Sequence, residues 1–442
     1  VNSSSRAHWG NRFAFVLAAA GSAIGLGNIW KFPYITGHNG GGAFVLVYLA
    51  CIAVVGLPIL IAEIFIGKKA QNNAIVSFET LHKPKSKWRN IGFLGMLTSS
   101  MVLAFYSVVG GWVLDFEFKA LTNAFVHNSD EVISGFLGQL IEQKQGLQIF
   151  WHSIFMGTTI YIVLKGIADG IEKWVRVLMP VLFVLLIGLF FYAMTLSGFG
   201  QAITFLFTPD FTKLSWEGIL EAVGHSFFTL TIGMAVMVTY GSYLQPQASV
   251  IKTSVIVAVL DTIIALIAGI TVFAVVFSFN QEPGAGPGLI FVTLPLLFKQ
   301  IPGSWLVSNA FFILVTFAAL SSSISMLEVT VSYLSDQKTW SRKKASLVVG
   351  GVIWAFGLLC TFPNLLLFGS KNTFDAFDLV TSKILLPVGG LLISLYFGWI
   401  VDDKVKEELG DTLSTKGLLL ITRFFAPALV AYMLFKGVHE ML

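Results

Sequence analysis

Long apolar stretches separated by short polar connectors dominate the chain. A helix needs about 20 mostly apolar residues to cross the hydrocarbon of a bilayer. Eleven stretches suit that role: 13–37, 43–66, 91–118, 149–165, 174–196, 217–243, 253–279, 304–334, 345–361, 374–400 and 417–437. They predict an all-α integral membrane protein of eleven transmembrane helices, numbered spans 1 to 11 in chain order. The first stretch is too long for a secretory signal and ten more follow it, so it is expected to stay in the mature protein.

The charged connectors add orientation. With the N-terminus in the cytoplasm, 19 Lys and Arg residues fall on the cytoplasmic side and 6 outside, the asymmetry that sets membrane topology. An odd span count then puts the C-terminus outside. Of the outer connectors, 119–148 and 280–303 are long and partly apolar; the second has Gly and Pro around a short helical run. A re-entrant lid over an outward-facing cavity and a merely exposed loop both fit that pattern.

Composition narrows the class. Hydrophobic residues make up 55% and charged residues 12%, with mean hydropathy +0.80, whereas a soluble domain carries about 25% charged residues. Soluble multidomain, disordered, nucleic-acid-binding and disulfide-scaffold classes are excluded. Cys51 and Cys360 lie in apolar runs and read as small buried residues. The histidines are scattered, and no GxSxG, Walker or HExxH string occurs; Ser335 to Lys338 gives a lone SxxK match on a charged connector. A membrane enzyme would have only Asp261, Glu63 and Glu328 to draw on, and a channel would need a longer polar path.

Two spans are interrupted. Span 1 reads AAAGSAIGLGNIWKFPY, with Gly21, Gly25, Gly27 and Asn28; span 6 reads SFFTLTIGMAVMVTY, with Thr229, Thr231 and Gly233. Gly21 to Gly25 alone is a small-xxx-small pair, which marks close helix packing. Yet the interruptions stand five spans apart, each first in its half of the chain, the arrangement that points to a transporter's central site. An unwound helix offers N–H groups to a carboxylate and C=O groups to a cation. Asn28, Thr229 and Asp261 supply oxygens at the same depth. An intramembrane Asp costs about 2.5–3.5 kcal/mol on insertion scales and is a functional candidate, with a protonated acid or a helix–helix hydrogen bond as the alternatives. In span 8, Ala318, Ser321 and Ser322 form an oxygen patch at i, i+3 and i+4 suited to a hard cation, though serines also bond back to their own helix.

The runs GSAIGLGNIWKFPYITGHNGGGAF, FFTLTIGMAVMVTYGSY and FAALSSSISM resemble the neurotransmitter:sodium symporter family, specifically its bacterial amino-acid transporters, over essentially the whole chain. The resemblance implies an inverted repeat of spans 1–5 and 6–10 and Na+-coupled uptake by alternating access. The corresponding segments are a cytoplasmic 1–12, repeats at 13–200 and 201–400 with a lid near 280–303, and 401–442 carrying span 11 and an external C-terminus. Two Na+ ions are implied: one at Ala23, Asn28, Thr229 and Asp261, the other at Gly21, Ile24, Ala318, Ser321 and Ser322. The substrate would meet Ala23, Leu26, Gly27, Tyr106, Phe228 and Thr231, with Val102, Met234, Ser322, Ser325 and Met326 completing the pocket. Lys31 and Asp378 match the family's outer pair, with Lys in place of Arg, and Lys383 is a competitor for that carboxylate. Arg6 and Asp336 match the inner pair, braced by Trp9 and Tyr243.

Three departures shape the expected activity. Gly25 stands where monoamine carriers have an aspartate, favouring a substrate with its own carboxylate. Asp261 stands where animal members have Asn, and Ala265 replaces a residue linked to chloride binding, so chloride-independent transport is expected. Met234, where the leucine transporter has Phe, favours a range of hydrophobic amino acids, aliphatic and aromatic. Glu63 is read as a brace for the unwound backbone, and the turn from Gly170 to Pro180 in span 5 as one that unwinds to admit water. Proton coupling through Asp261 is the rival mechanism. The expected setting is a bacterial inner membrane, with lipid and an amino acid as partners, no nucleic acid, and a monomer sufficient for transport.

Overall fold

Polar caps mark where the apolar stretches become helices. Asn11 accepts the Ala14 N–H at 2.8 Å, Ser215 that of Gly218 at 3.0 Å, and Ser249 and Ser341 those of Lys252 and Lys344. Each satisfies one of the orphan donors of a first helical turn. The structure, a computed structural model, describes residues 8–283, 286–337, 340–367 and 371–439.

Among the described residues nine helices are long and apolar enough to span a membrane, from Gly42–Ala70 to Leu413–Gly437. Counting the pair Arg12–Ala23 and Gly27–His38, bent by 48° at its break, as one span gives ten, short of the eleven expected. The stretch expected as span 6 forms two helices, Trp216–Thr229 and Val236–Gly241, each too short to cross alone because residues 230–235 between them are not helical. The interruption read from the sequence is thus severe enough to divide the element.

Spans 8 and 3 are the most enclosed, with 83% and 67% of their apolar windows buried, against 33% for span 5 and 39% for spans 4, 9 and 11. They pack along each other at the centre. Span 4 lies against spans 3, 8 and 9, and span 9 against spans 8, 3 and 4. Span 5 touches spans 1, 7 and 8, and span 10 touches spans 6, 2 and 3. Exchanging each span with the one five later preserves these neighbours, which is the pattern of a repeat with internal two-fold symmetry.

On the outer side, as the charge asymmetry defines it, residues Thr293–Phe298 form a short helix in the 280–303 connector. Phe291 beside it stands edge-on to Trp30, Trp112 and Phe116, and Lys299 pairs with Asp130 at 2.8 Å. This connector is packed onto the body as a cap. A two-residue antiparallel pair, Leu366–Leu367 with Lys371–Asn372, leads into span 10. On the inner side, helix Asp402–Leu409 is clamped to the end of span 2 by Glu408 with Lys68 and Lys69.

Candidate ion and substrate site

Both interruptions are built from backbone that a helix cannot hold. In span 1 the helix ends at Ala23, Ile24 turns to an extended ψ of 92°, and helical geometry resumes at Gly27. In span 6, Thr231, Gly233 and Ala235 take φ of 54°, 82° and 57°, a left-handed region costing an ordinary residue roughly 1–2 kcal/mol. Neighbouring spans hold this backbone. Glu63, fully buried in span 2, accepts the Gly233 N–H at 2.8 Å. A β-carbon on Gly233 would stand 2.5 Å from the Leu386 carbonyl oxygen, so glycine is what lets span 10 approach.

The breaks bring Asn28, Thr229 and Asp261 together from spans 1, 6 and 7, all fully buried. The Asn28 amide donates to the Asp261 carboxylate at 2.7 Å and to its carbonyl at 3.0 Å. The Thr229 hydroxyl donates to the two Asp261 carboxylate oxygens at 2.9 and 3.2 Å. Asn28 also accepts the Gly25 N–H at 3.1 Å, tying the cluster to the unwound strand of span 1. Among the described residues no group of three or more His, Cys, Asp or Glu is placed to hold a metal. One carboxylate with neutral oxygens suits a hard monovalent cation, not a transition metal.

The serines of span 8 face the same break. Ser321 donates back to the Ala318 carbonyl at 3.0 Å, while Ser322 donates across to the Ser22 carbonyl at 2.9 Å. A β-carbon on Gly21 would lie 3.4 Å from that of Ser321 and 2.8 Å from the Met179 sulfur, and one on Gly25 only 2.4 Å from the Ser322 hydroxyl. Gly21 and Gly25 therefore do serve close packing, as a small-residue pair should, and that packing seats the break on the serines. Ile24 lies between them, its N–H donating to Ala20 at 2.7 Å.

Beside these oxygens lies a narrow cavity lined by Ala23, Leu26, Gly27, Val102, Tyr106, Phe228, Thr231, Met234, Ser322 and Met326, with Ser22 and Gly25. Its free space of about 20 Å³ is little more than one water occupies. Of the side chains expected there Ser325 alone is missing. Its hydroxyl is bonded to the Ser322 carbonyl at 2.8 Å and to the Ser22 hydroxyl at 2.7 Å, so it braces span 8 on span 1. At one end the Leu26 N–H meets the Tyr106 hydroxyl at 3.3 Å. No charged side chain lines this cavity among the described residues.

Outward of it, sharing Leu26, Tyr106 and Phe228, opens a vestibule of about 330 Å³. Lys31 and Asp378 both line it without holding each other: the Lys31 ammonium stands 4.6 Å over the Phe228 ring, and Asp378 accepts the Ser382 hydroxyl at 2.9 Å. Lys383 lines an adjoining outer chamber.

Toward the cytoplasmic side, as the charge asymmetry defines it, aromatic and ionic contacts join spans 1, 6, 8 and 9. Trp9, buried, donates its indole N–H to the Tyr240 carbonyl at 3.2 Å and its backbone N–H to that of Tyr243 at 3.1 Å, with its ring edge-on to both tyrosines. The Tyr243 hydroxyl donates to Glu328 at 2.8 Å, and Arg342 forks onto the same carboxylate at 2.5 and 3.1 Å. Of the expected inner pair, Arg6 lies outside the described residues, and Asp336 ends span 8. The start of span 5 joins this closure: Glu172 accepts the Gly10 N–H at 3.0 Å and pairs with Arg176.

Sequence reasoning missed Arg342, Ser22 and Glu172. Arg342 counts there only as a topology charge, and its 14-residue separation from Glu328 crosses a connector that no helical spacing reads. Ser22 had a signal, a hydroxyl directly before the break.

A family model described as the sodium:neurotransmitter symporter family matches residues 6–135 and 137–441. An uncharacterised sodium-dependent transporter of Bacillus subtilis, YhdH, is 39% identical over 88% of this chain and 86% of its own length. One from Haemophilus influenzae is 33% identical over 93% of each chain. The mouse sodium- and chloride-dependent GABA transporter 2 is 25% identical over 96% of this chain and 78% of its own. Among solved structures, MhsT in complex with L-phenylalanine matches with a TM-score of 0.91 and 40% identity, covering 98% of this chain and 100% of that one. The chain belongs to the sodium:neurotransmitter symporter family, multi-pass membrane transporters that couple transport to sodium.

Proposed function

We propose that this protein takes up hydrophobic L-amino acids, aliphatic and aromatic, together with Na+ and without a chloride requirement. The observation that carries the reading is the central cavity: apolar walls from Val102, Phe228, Met234 and Met326, no charged side chain, and unwound backbone at one end. Such a site accepts a ligand whose charges cancel within itself and whose side chain is apolar. The solved complex of MhsT with L-phenylalanine supports the substrate class. The carboxylate is assigned to the amides of Leu26 and Gly27 and to Tyr106, the amine to carbonyls near Ala23, Phe228 and Thr231. With little free space in the cavity, admitting a side chain requires Phe228 or the two methionines to shift, and methionine does so readily.

Two Na+ ions are assigned. The first takes Asn28, Thr229, Asp261, the Ala23 carbonyl and the substrate's carboxylate; the second takes the carbonyls of Gly21, Ile24 and Ala318 with the hydroxyls of Ser321 and Ser322. An ion touching the substrate carboxylate makes each favour the other's binding, reciprocally. Asp261 places a fixed negative charge beside the first ion, where a chloride would otherwise supply it. The termini are assigned inside and outside as the basic connectors direct, with Lys31 and Asp378 as the outer gate and Arg6, Asp336, Trp9 and Tyr243 as the inner one.

Uptake into liposomes of labelled phenylalanine and leucine, with Na+, Cl− and pH varied separately, tests the reading. Uptake should need Na+ and proceed in gluconate, and Asp261→Asn should make it chloride-dependent. A strict Cl− requirement in the parent would overturn the chloride claim, and uptake driven by a pH gradient without Na+ would favour proton coupling instead.

A further inference from the structure

Away from the transport path, spans 3, 8 and 9 leave a groove of about 460 Å³ that opens on the surface facing the hydrocarbon. Leu97 and Met101 of span 3, Leu334 of span 8 and Val348, Val352 and Phe356 of span 9 line it. Leu97, Val348, Val352 and Phe356 are exposed. Span 9 begins at Arg342, so at 1.5 Å per residue the groove runs from about 9 to about 21 Å above its inner end. That is hydrocarbon depth. Apart from the Trp340 indole at its mouth, its polar groups are Ser100 and Thr330, which bond each other at 3.1 Å, with Ser100 also donating to the Met96 carbonyl. Water would find nothing there to bond, and an alkyl chain would leave nothing unbonded.

The inner mouth has a different chemistry. Trp340 lines the groove, and the Lys344 ammonium stands 4.8 Å over its ring, with the exposed Lys343 adjacent in the chain. Neither lysine is ion-paired with a carboxylate among the described residues. Arg89, at the start of span 3, is already paired with Glu79. An indole with two uncompensated ammonium groups at the membrane–water level is a site for a lipid phosphate.

We propose that this groove binds one anionic phospholipid of the inner leaflet, an acyl chain lying along Val348–Phe356 and the headgroup held by Lys343 and Lys344. The site adjoins the moving parts. Thr330 is one helical turn from Met326 of the central cavity, and Phe377, which also lines the groove, directly precedes Asp378. A lipid in place ties span 10 to the span 3–span 8 core on the side away from the substrate.

Native mass spectrometry of the full-length protein, released from nanodiscs of mixed phosphatidylglycerol and phosphatidylcholine, reads occupancy. One phosphatidylglycerol should be retained over phosphatidylcholine. Lys343→Gln and Lys344→Gln should each weaken retention about fivefold, and Val352→Trp should abolish it by filling the groove. Phosphatidylglycerol with a brominated chain should quench a fluorescence component that Trp340→Phe removes, a readout that does not depend on the groove-filling variant folding. Equal retention of both lipids, unchanged retention in the double lysine variant, or a dimer that Val352→Trp dissolves would each overturn the proposal.

Discussion

The two ends of the cleft that holds the candidate site are restrained to different degrees. Outside, Lys31 and Asp378 line a vestibule and hold other partners, a Phe228 ring and a Ser382 hydroxyl. Inside, Trp9 is buried against two tyrosines, and one carboxylate, Glu328, holds both Tyr243 and Arg342. A solvated ion pair contributes about 0–1 kcal/mol, whereas breaking a buried pair costs about 3–5 kcal/mol. With Lys31 and Asp378 not paired with each other, the outer end is the less restrained of the two. Coupling then requires ligands that bind the closed outer state more tightly than the open one.

The largest expected effect comes from removing the shared inner carboxylate. Glu328→Ala leaves the half-buried Arg342 guanidinium with the Val163 carbonyl but no carboxylate, so we expect a loss of about 3 kcal/mol, seen as faster thermal inactivation in detergent. A cysteine placed at Ser22 should become more reactive to thiol reagents from the inner side. If both stay at parent values, the inner closure is not what holds the path shut.

Gly233→Ala tests the hinge between the two ends. The added β-carbon would stand 2.5 Å from the Leu386 oxygen, at a φ of 82°. Strain of about 1–3 kcal/mol is expected, with Na+-dependent substrate binding reduced more than stability because Thr229 and Thr231 sit on the displaced backbone. Unchanged binding would separate the span 6 break from the site.

How much of this was legible depends on the range of the interaction. The apolar helices were readable as such, though nine or ten and not eleven pass as spans; both breaks, Asn28, Thr229 and Asp261 were readable because each departs locally from an apolar helical pattern: a glycine cluster, a buried carboxylate. The resemblance supplied what pattern could not, such as Val102 and Tyr106, apolar or aromatic residues indistinguishable from packing. What neither reached is set by tertiary approach. Ser325 is held by the Ser322 carbonyl and the Ser22 hydroxyl and does not line the cavity. Lys31 lies over an aromatic face, which an ammonium on a flexible stem does as readily as it meets a carboxylate.

That substitution of Lys for Arg sharpens the contrast at its outer end. Lys31→Arg restores a planar fork able to grip Asp378 with two hydrogen bonds. The expected gain is about 1 kcal/mol, roughly fivefold toward the closed outer state. It should appear as slower labelling of a cysteine at Phe105 from outside and a slower substrate off-rate. Labelling as fast as in the parent would mean that the vestibule's width, not the missing fork, keeps the gate open.

The smallest effect concerns whether the inner side's stiffness extends to its cytoplasmic clamp. Glu408 accepts from Lys68 at 2.5 Å and Lys69 at 3.1 Å. The hydrogen bond from Lys68, seconded by Lys69, holds its carboxyl below the ordinary glutamate range, although partial burial opposes the shift. With the folded-state value depressed, the unfolded chain takes up the proton first on acidification. The clamp's contribution is therefore full above the ordinary glutamate value of about 4.3 and is lost as pH falls through the lower folded value. Glu408 is partly exposed, so that contribution is at most about 1 kcal/mol. Glu408→Gln should inactivate faster than the parent near pH 6, and the difference should vanish in acid. Equal inactivation at both pH values would confine the inner stiffness to the Trp9 and Glu328 contacts, making the clamp a passive end of span 2.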